Sequence, residues 1–289
     1  MDSVLVLMAQ PGSDAISSRV VEALRDYGSV APQWLAAGDA LEVKTFARLP
    51  EFLIEVKSLP IDTAVVSSHN RRKRLLVADM DSTMIREECV DELGIAAGVG
   101  ERVAAITARA MRGELDFEGA LIERVALLKG LPASIIETLI RDRITFMPGG
   151  KTLLATMKAH GAYTALISGG FTAFTRHVAA ALGFDEHRAN ILEISGDILN
   201  GRVTKPVLGK EAKHAGLIEL AKRHGLGLDE TMAVGDGAND LPMLLAAGLG
   251  VALHAKPTVQ AQVAVRVNHA DLTALLFLQG YRREQFVVA

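Results

Sequence analysis

From residue 75 onward the chain alternates between short apolar runs and longer segments with helical spacing. The runs are LLVAD (75–79), YTALISGG (163–170), TMAVGDG (231–237) and GLGVAL (248–253). Their apolar residues are continuous rather than alternating, which is typical of strands that are buried on both faces. The pattern predicts an α/β fold over residues 73–289, with a Rossmann-like parallel-sheet core covered by helices on both sides.

Residues 1–72 have another pattern and are predicted to form a small α/β domain before this core. SVLVLMA (3–9) and IDTAVVSS (61–68) are strand candidates, and LEVKTF (41–46) alternates weakly. ISSRVVEALRDYG (16–28) and LPEFLIEVKSL (49–59) have helical spacing. The basic stretch SSHNRRKR (67–74) is interpreted as a solvated linker.

A long helical stretch separates the first and second core strands. It spans about residues 90–146 and is too long for a single crossover helix. We interpret it as a helical cap inserted above the carboxyl ends of the strands, where ligands of such sheets bind and where a cap can close over a substrate.

Composition narrows the function classes. The 289 residues are 49% hydrophobic, with 31 basic and 34 acidic side chains and a net charge of -3. This balance favours neither a nucleic acid nor an anionic membrane as partner. The single cysteine, the acidic N-terminus and the lack of an apolar stretch of about 20 residues lead us to expect a cytoplasmic protein outside the membrane.

The residues at the first strand end carry candidate chemistry. Asp79 and Asp81 follow the strand directly, and two carboxylates this close repel each other unless a cation lies between them. Oxygen ligands suit Mg²⁺. Asp79 is a candidate nucleophile toward phosphorus, and Asp81 a candidate general acid and base. The simpler alternative is a strand end followed by a helix N-cap.

Two further strand ends repeat this arrangement. Ser168 and Gly169 end the second run, where a hydroxyl group and backbone N–H groups suit a phosphate. GDGAND (235–240) follows the third run: Asp236 is a candidate metal ligand, Asn239 a substrate contact and Asp240 a support behind them. A lysine is needed to hold the phosphate, and Lys205, Lys210 and Lys213 are all candidates by chemistry alone.

These motifs, in this order, resemble those of the haloacid dehalogenase superfamily of aspartate-nucleophile phosphatases. ADMDSTMIREECVDELG (78–94) and AMRGELDFEGALIERVALLKGLP (110–132) are similar to the phosphoserine phosphatases within it, and the resemblance extends from residue 73 to about 275. It implies hydrolysis of O-phospho-L-serine, the last step of serine biosynthesis, through an aspartyl-phosphate with Mg²⁺ as cofactor.

The resemblance also implies the roles of single residues. Asp79 would be the nucleophile and a metal ligand, Asp81 the general acid and base that gives its backbone carbonyl to the metal, and Asp236 the third ligand. The substrate-binding positions would be Glu88, Met111, Phe117, Arg124, Ser168, Gly169, Lys213 and Asn239.

Other interpretations remain open at this point. The substrate could be another small phosphomonoester such as phosphohomoserine, or the chain could be a non-catalytic sensor of a phosphorylated ligand. The first 72 residues resemble small regulatory modules such as ACT domains but are short for a complete one, so packing or formation of a homodimer is an equal alternative.

Overall fold

The computed structural model describes residues 3–288. Within this range six strands form a parallel sheet in the order β12-β11-β10-β5-β6-β7. Their bounds are β5 (Leu75–Ala78), β6 (Tyr163–Phe171), β7 (Glu186–Asn190), β10 (Thr231–Gly235), β11 (Leu249–Leu253) and β12 (Val265–Val267). This confirms the predicted parallel α/β core.

Both faces of this sheet are buried, which explains the continuous apolar runs. Along β5, Leu76 and Ala78 belong to one hydrophobic core, and Leu75 and Val77 belong to another. Side chains of a strand alternate between the faces of the sheet, so a strand covered on both sides must be apolar at every position. The covering helices are α7 (Gly150–Ala159), α8 (Thr172–Leu182), α9 (Lys210–Arg223), α10 (Leu241–Ala246), α11 (Pro257–Gln260) and α12 (Ala274–Leu278).

The N-terminal region forms a separate, antiparallel sheet with the strand order β2-β3-β1-β4 within the described residues. The strands are β1 (Ser3–Ala9), β2 (Gln33–Ala36), β3 (Ala40–Lys44) and β4 (Ile61–Ser67), and the helices are α1 (Ser18–Asp26) and α2 (Leu49–Val56). The small α/β unit agrees with the sequence pattern, although the pattern missed the short strand β2. The boundary at residues 72 and 73 stays a prediction.

The basic stretch after β4 is exposed over most of its length, as expected of a solvated linker, but Arg71 and Lys73 make contacts that its composition did not suggest. Lys73 is buried, and its ammonium group donates hydrogen bonds to the backbone carbonyls of Asn70 (2.7 Å) and Asp229 (2.6 Å). Arg71 pairs with Glu42 at 2.5 Å and donates to the carbonyl of Leu278 at 2.8 Å. Long basic side chains can bury their stems while their charged ends find polar partners, which composition alone does not show.

Helices fill the interval between β5 and β6, as predicted. They are α3 (Cys89–Ala96), α4 (Gly100–Met111), α5 (Phe117–Ala126) and α6 (Ile135–Asp142). A later hairpin, β8 (Leu192–Ser195) and β9 (Ile198–Val203), joins them: the Gly130 N–H group donates to the carbonyl of Leu199 at 2.9 Å. Among the described helices, we find none with the length and apolar character needed to cross a membrane.

Candidate functional site

The site begins where β5 ends. The Asp79 N–H group donates to the carbonyl of Val234 at 3.0 Å, which fixes the residue at the carboxyl edge between β5 and β10. Its side chain is buried, and its Oδ1 accepts a hydrogen bond from the Met80 N–H group at 2.7 Å. The first acid of the motif is therefore held firmly in place by the sheet beside it.

A buried lysine compensates the charge of this acid. Lys213, on α9, has an exposed fraction of 0%, and its Nζ lies 2.6 Å from Asp79 Oδ1 and 2.6 Å from Asp240 Oδ1. Burial alone would lower the pKa of Lys213, but Asp240 and Asp79 raise it above its ordinary value. Burial and the charge of Asp240 raise the pKa of Asp79, while Lys213 opposes them.

The other candidate lysines lie elsewhere. Lys205 is exposed and pairs with Glu118 at 2.9 Å, and Lys210 lies 3.7 Å from Glu211 on the surface. Chemistry alone left the choice open, and the structure brings Lys213 to Asp79.

Carboxylates also converge from β10 and the turn after it. Asp79, Asp236 and Asp240 place one carboxylate oxygen each within 4.8 Å of one another, and all three residues are buried. One buried lysine leaves this group with excess negative charge, and the donor set is all oxygen, so the residues fit a hard divalent cation. Asp240 already accepts from Lys213 and, at 3.0 Å, from the Gly237 N–H group. Asp79 and Asp236 are thus the freer ligands.

Asp81 has the properties of a proton carrier. Burial, followed by the nearby charge of Glu88, raises the pKa of its carboxyl to about 7. Its Oδ1 accepts a hydrogen bond from the Cys89 N–H group at 3.3 Å. A pKa close to neutral lets a carboxyl group donate and accept a proton with similar ease.

The second strand end supplies a serine and two glycines. Ser168 is fully buried, and its Oγ accepts the Gly170 N–H group at 2.9 Å. A Cβ on Gly170 would lie 2.8 Å from Asp81 Oδ2, and a Cβ on Gly169 would lie 2.7 Å from the ring of Phe117. Both glycines therefore allow neighbouring groups to approach the backbone closely.

The candidate residues meet around one cavity of about 380 Å³. The predicted residues that line it are Asp79, Asp81, Glu88, Phe117, Arg124, Ser168, Gly169, Asp236 and Asn239. Lys213 and Asp240 are buried beside Asp79 instead. Met111 ends α4, but its side chain lies outside the described residues.

The helical insertion contributes a cation to the cavity wall. Arg124 lies in the last turn of α5, a helix that begins where the side chain of Asp116 accepts the Gly119 N–H group at 2.8 Å. Its guanidinium group donates to the carbonyl of Ala120 at 3.2 Å and to Thr107 Oγ1 at 3.4 Å. It forms no ion pair with a carboxylate in the part of the chain that the structure describes, and burial lowers its pKa.

Sequence reasoning missed other residues of the cavity wall, above all Asp91 and Lys256. Lys256 Nζ lies 3.8 Å from Asp236 Oδ2. It follows β11, so its place beyond a parallel strand was the signal that could have found it. Asp91, in the first turn of α3, looks like an ordinary acidic residue at a helix start.

Comparisons with known proteins identify relatives of this chain. A sequence profile of the haloacid dehalogenase-like hydrolases matches residues 76–245. A phosphoserine phosphatase of Streptomyces coelicolor is 40% identical over 286 residues, which cover 95% of this chain and 68% of that protein.

Solved structures are similar as well. A probable phosphoserine phosphatase of Vibrio cholerae, in unliganded form, has a TM-score of 0.81 at 35% identity, covering 96% of this chain and 86% of its own. A phosphoserine phosphatase described as a phospho-aspartyl intermediate analogue has a TM-score of 0.67 at 39% identity, covering 71% of this chain and 98% of its own.

Proposed function

Because the chain belongs to the haloacid dehalogenase-like hydrolase family, we propose that it is a magnesium-dependent phosphatase of O-phospho-L-serine. The observation that carries the proposal is the cavity itself. Its wall holds Asp79, with Lys213 behind it, together with Arg124 and Glu88. A phosphate group suits the surroundings of Asp79 and Lys213, and the charged groups of an amino acid suit Arg124 and Glu88. The relatives named above carry the same activity in their names.

Asp79 and Asp236, with the backbone carbonyl of Asp81, would hold the Mg²⁺ ion. When bound, the ion supplies positive charge that offsets the charge of the phosphoryl oxygens. Lys213 opposes the rise in the pKa of Asp79 and holds its Oδ1 in place through a contact of 2.6 Å.

In the first step Asp79 attacks phosphorus. Its Oδ1 already contacts Lys213 and the Met80 N–H group, so Oδ2 is the oxygen that these contacts leave available. A bond forms between Asp79 and phosphorus while the bond from phosphorus to the seryl oxygen breaks. Asp81 gives its proton to that oxygen, and serine leaves.

In the second step Asp81 acts in the opposite direction. Now a carboxylate, it takes a proton from a water molecule that attacks the phosphorus of the aspartyl-phosphate. The bond to Asp79 breaks, inorganic phosphate leaves, and both aspartates return to their starting forms. Ser168 and Gly169 line the same cavity, and the hydroxyl group and backbone would hold the phosphoryl oxygens throughout.

The proposal includes a cytoplasmic location. Cys89 is the single cysteine of the chain, and it is a buried free thiol that needs no oxidising compartment. Formation of a homodimer stays a prediction.

Phosphate release from O-phospho-L-serine tests the function directly. We expect release by the purified chain with Mg²⁺, none after chelation, and recovery on adding Mg²⁺ back. Asp79→Asn should be inactive. Asp26→Asn, a change at an exposed residue of the N-terminal region, should leave phosphate release unaffected. Absence of release with Mg²⁺ present, or full turnover by Asp79→Asn, would refute the proposal.

A further inference from the structure

Asp91 stands out among the residues that line the cavity because one of its carboxylate oxygens has no hydrogen-bond donor. Its Oδ1 is buried and accepts no hydrogen bond from any residue that the structure describes. A buried acceptor without a donor is unfavourable, and such atoms often mark a place where a ligand supplies the missing group.

The surroundings of Asp91 define the charge of that missing group. Burial, and then the negative charge of Glu88, raises the pKa of Asp91, while the charges of Arg124 and Lys256 oppose the rise. Glu88 also lines the cavity, and its Oε1 accepts a hydrogen bond from Ser82 Oγ at 2.9 Å. Two acids that line the same cavity favour a cation beside them. A group with several N–H donors would satisfy both.

Arg124 supplies a positive charge near Asp91. Among the described acids, Asp91 exerts the largest electrostatic effect on the Arg124 guanidinium, yet the two side chains form no ion pair. They are therefore close enough to influence each other and too far apart to neutralise each other. A ligand that carries both a carboxylate and an ammonium group on one carbon atom fits between such a pair.

On this basis, and resting on the proposed function, we infer that Asp91 is a specificity-determining residue that binds the α-ammonium group of the substrate together with Glu88, while Arg124 binds the α-carboxylate. Rotation about the last side-chain torsion of an aspartate is soft, so either oxygen of Asp91 can turn to the cavity at small cost. Recognition of the zwitterion would then depend on a triad of charges rather than on one pair.

The competing explanation is a structural one. Asp91 lies in the first turn of α3, where a negative charge stabilises a helix modestly. Glu92 lies in the same turn but is not among the residues that line the cavity. It pairs with Arg143 at a distance of 2.9 Å. Glu92→Gln is therefore a matched control for Asp91→Asn, since both remove one negative charge from the same helix start.

The test compares three substrates in the intact chain with Mg²⁺. O-Phospho-L-serine carries both charged groups, 3-phosphoglycerate replaces the ammonium by a hydroxyl group, and p-nitrophenyl phosphate carries neither. For Asp91→Asn we expect kcat/KM on phosphoserine to fall about tenfold or more, mainly through KM, because a hydrogen bond between charged groups is lost. Activity on the other two substrates should change less than about twofold, and so should all three activities of Glu92→Gln.

The outcomes separate the possible failures. If Asp91→Asn lowers all three activities alike, or if Glu92→Gln reproduces its selectivity, Asp91 is structural and the inference is wrong. If Asp91→Asn instead lowers kcat/KM as strongly on 3-phosphoglycerate as on phosphoserine, the effect depends on the carboxylate that both substrates share. Asp91 then acts through Arg124 and does not bind the ammonium group. If the unmodified chain cleaves p-nitrophenyl phosphate but shows no preference for phosphoserine, the proposed substrate fails before Asp91 is considered.

Discussion

At the residue scale, the candidate site depends on a balance of buried charges around Lys213. This fully buried side chain contacts both Asp79 and Asp240 at 2.6 Å. Removing one member of a buried ion pair leaves the remaining charge uncompensated, which costs about 3–5 kcal/mol. Lys213 also holds Asp79 Oδ1, the oxygen that is not used for attack in the proposed mechanism. Both the stability of the fold and the proposed activity therefore depend on Lys213.

Replacing Lys213 tests this balance. We expect Lys213→Met to lower the free energy of unfolding by about 3–5 kcal/mol near neutral pH and to abolish turnover. Urea unfolding followed by circular dichroism measures the first effect. Lys210→Met, in the exposed first turn of the same helix, should change the free energy by less than about 0.5 kcal/mol. Equal stability of the two variants would contradict the assignment.

The acids of the site should also make stability depend on pH and on metal. In the chain without metal, the pKa values of Asp81 and Asp236 are raised to about 7 and about 6, in both cases mainly by burial. The folded state therefore binds more protons than the unfolded state, and stability falls as pH rises from the unfolded pKa of about 4 to these values. A cation that binds the ionised acids reverses the loss.

Thermal unfolding with and without Mg²⁺ measures this effect. The increase in Tm on adding Mg²⁺ should be small at pH 5 and larger at pH 8, where the acids are ionised. Asp236→Asn should remove most of the increase at pH 8. An increase that is independent of pH, or one that survives the Asp236 substitution, would show that the ion binds elsewhere.

At the element scale, the cavity forms where α5 lies over the end of β6. The sequence predicted both elements, because helical periodicity and a continuous apolar run are local signals. It did not predict that β6 continues to Phe171, and it did not predict the hairpin of β8 and β9, whose backbone bonds to Gly130. The hairpin contact joins segments that are far apart in the chain. A hydrophobic pattern predicts that a strand forms, but it does not identify the distant segment with which the strand pairs.

The closeness of Gly169 to Phe117 provides a test of this packing. A methyl group on Gly169 would lie 2.7 Å from the Phe117 ring, so Gly169→Ala should displace α5 from the strand end. We expect kcat/KM for phosphoserine to fall about tenfold, with partial recovery in the double variant Gly169→Ala with Phe117→Leu. Gly100→Ala controls for a general effect of the added methyl group, because the nearest atom there belongs to the exposed side chain of Ile95, at 3.2 Å. Unchanged kinetics in Gly169→Ala would show that α5 does not rest on this turn.

At the scale of the whole molecule, the N-terminal sheet is docked onto the catalytic core by specific polar contacts. The buried carboxylate of Asp62, on β4, accepts the N–H groups of Asn268 (2.8 Å), His269 (2.9 Å) and Ala270 (2.9 Å). The sequence identified the unit but not this docking, because Asp62 and its partners are separated by about 200 residues. The same limitation applies to Lys73, whose buried contacts no local pattern reveals.

Asp62→Ala should therefore destabilise the entire chain. Three backbone N–H groups lose their acceptor, and we expect the free energy of unfolding to fall by about 2–3 kcal/mol while the folded protein keeps its kcat. Chemical unfolding followed by circular dichroism measures the change, and Asp26→Ala at an exposed helix end should have little effect. Unaltered stability of Asp62→Ala would mean that the two sheets are held together without this contact.

Identification of the phosphorylated residue during turnover is the most direct measurement of the central claim. The chain would be mixed with O-phospho-L-serine and Mg²⁺, quenched in acid within its first turnovers and digested, and the peptides examined by tandem mass spectrometry. Our account predicts one phosphoryl group on the side chain of Asp79 and none in Asp79→Asn. Phosphate release at the normal rate with Asp79 unmodified, or with the phosphoryl group on another residue, would contradict it.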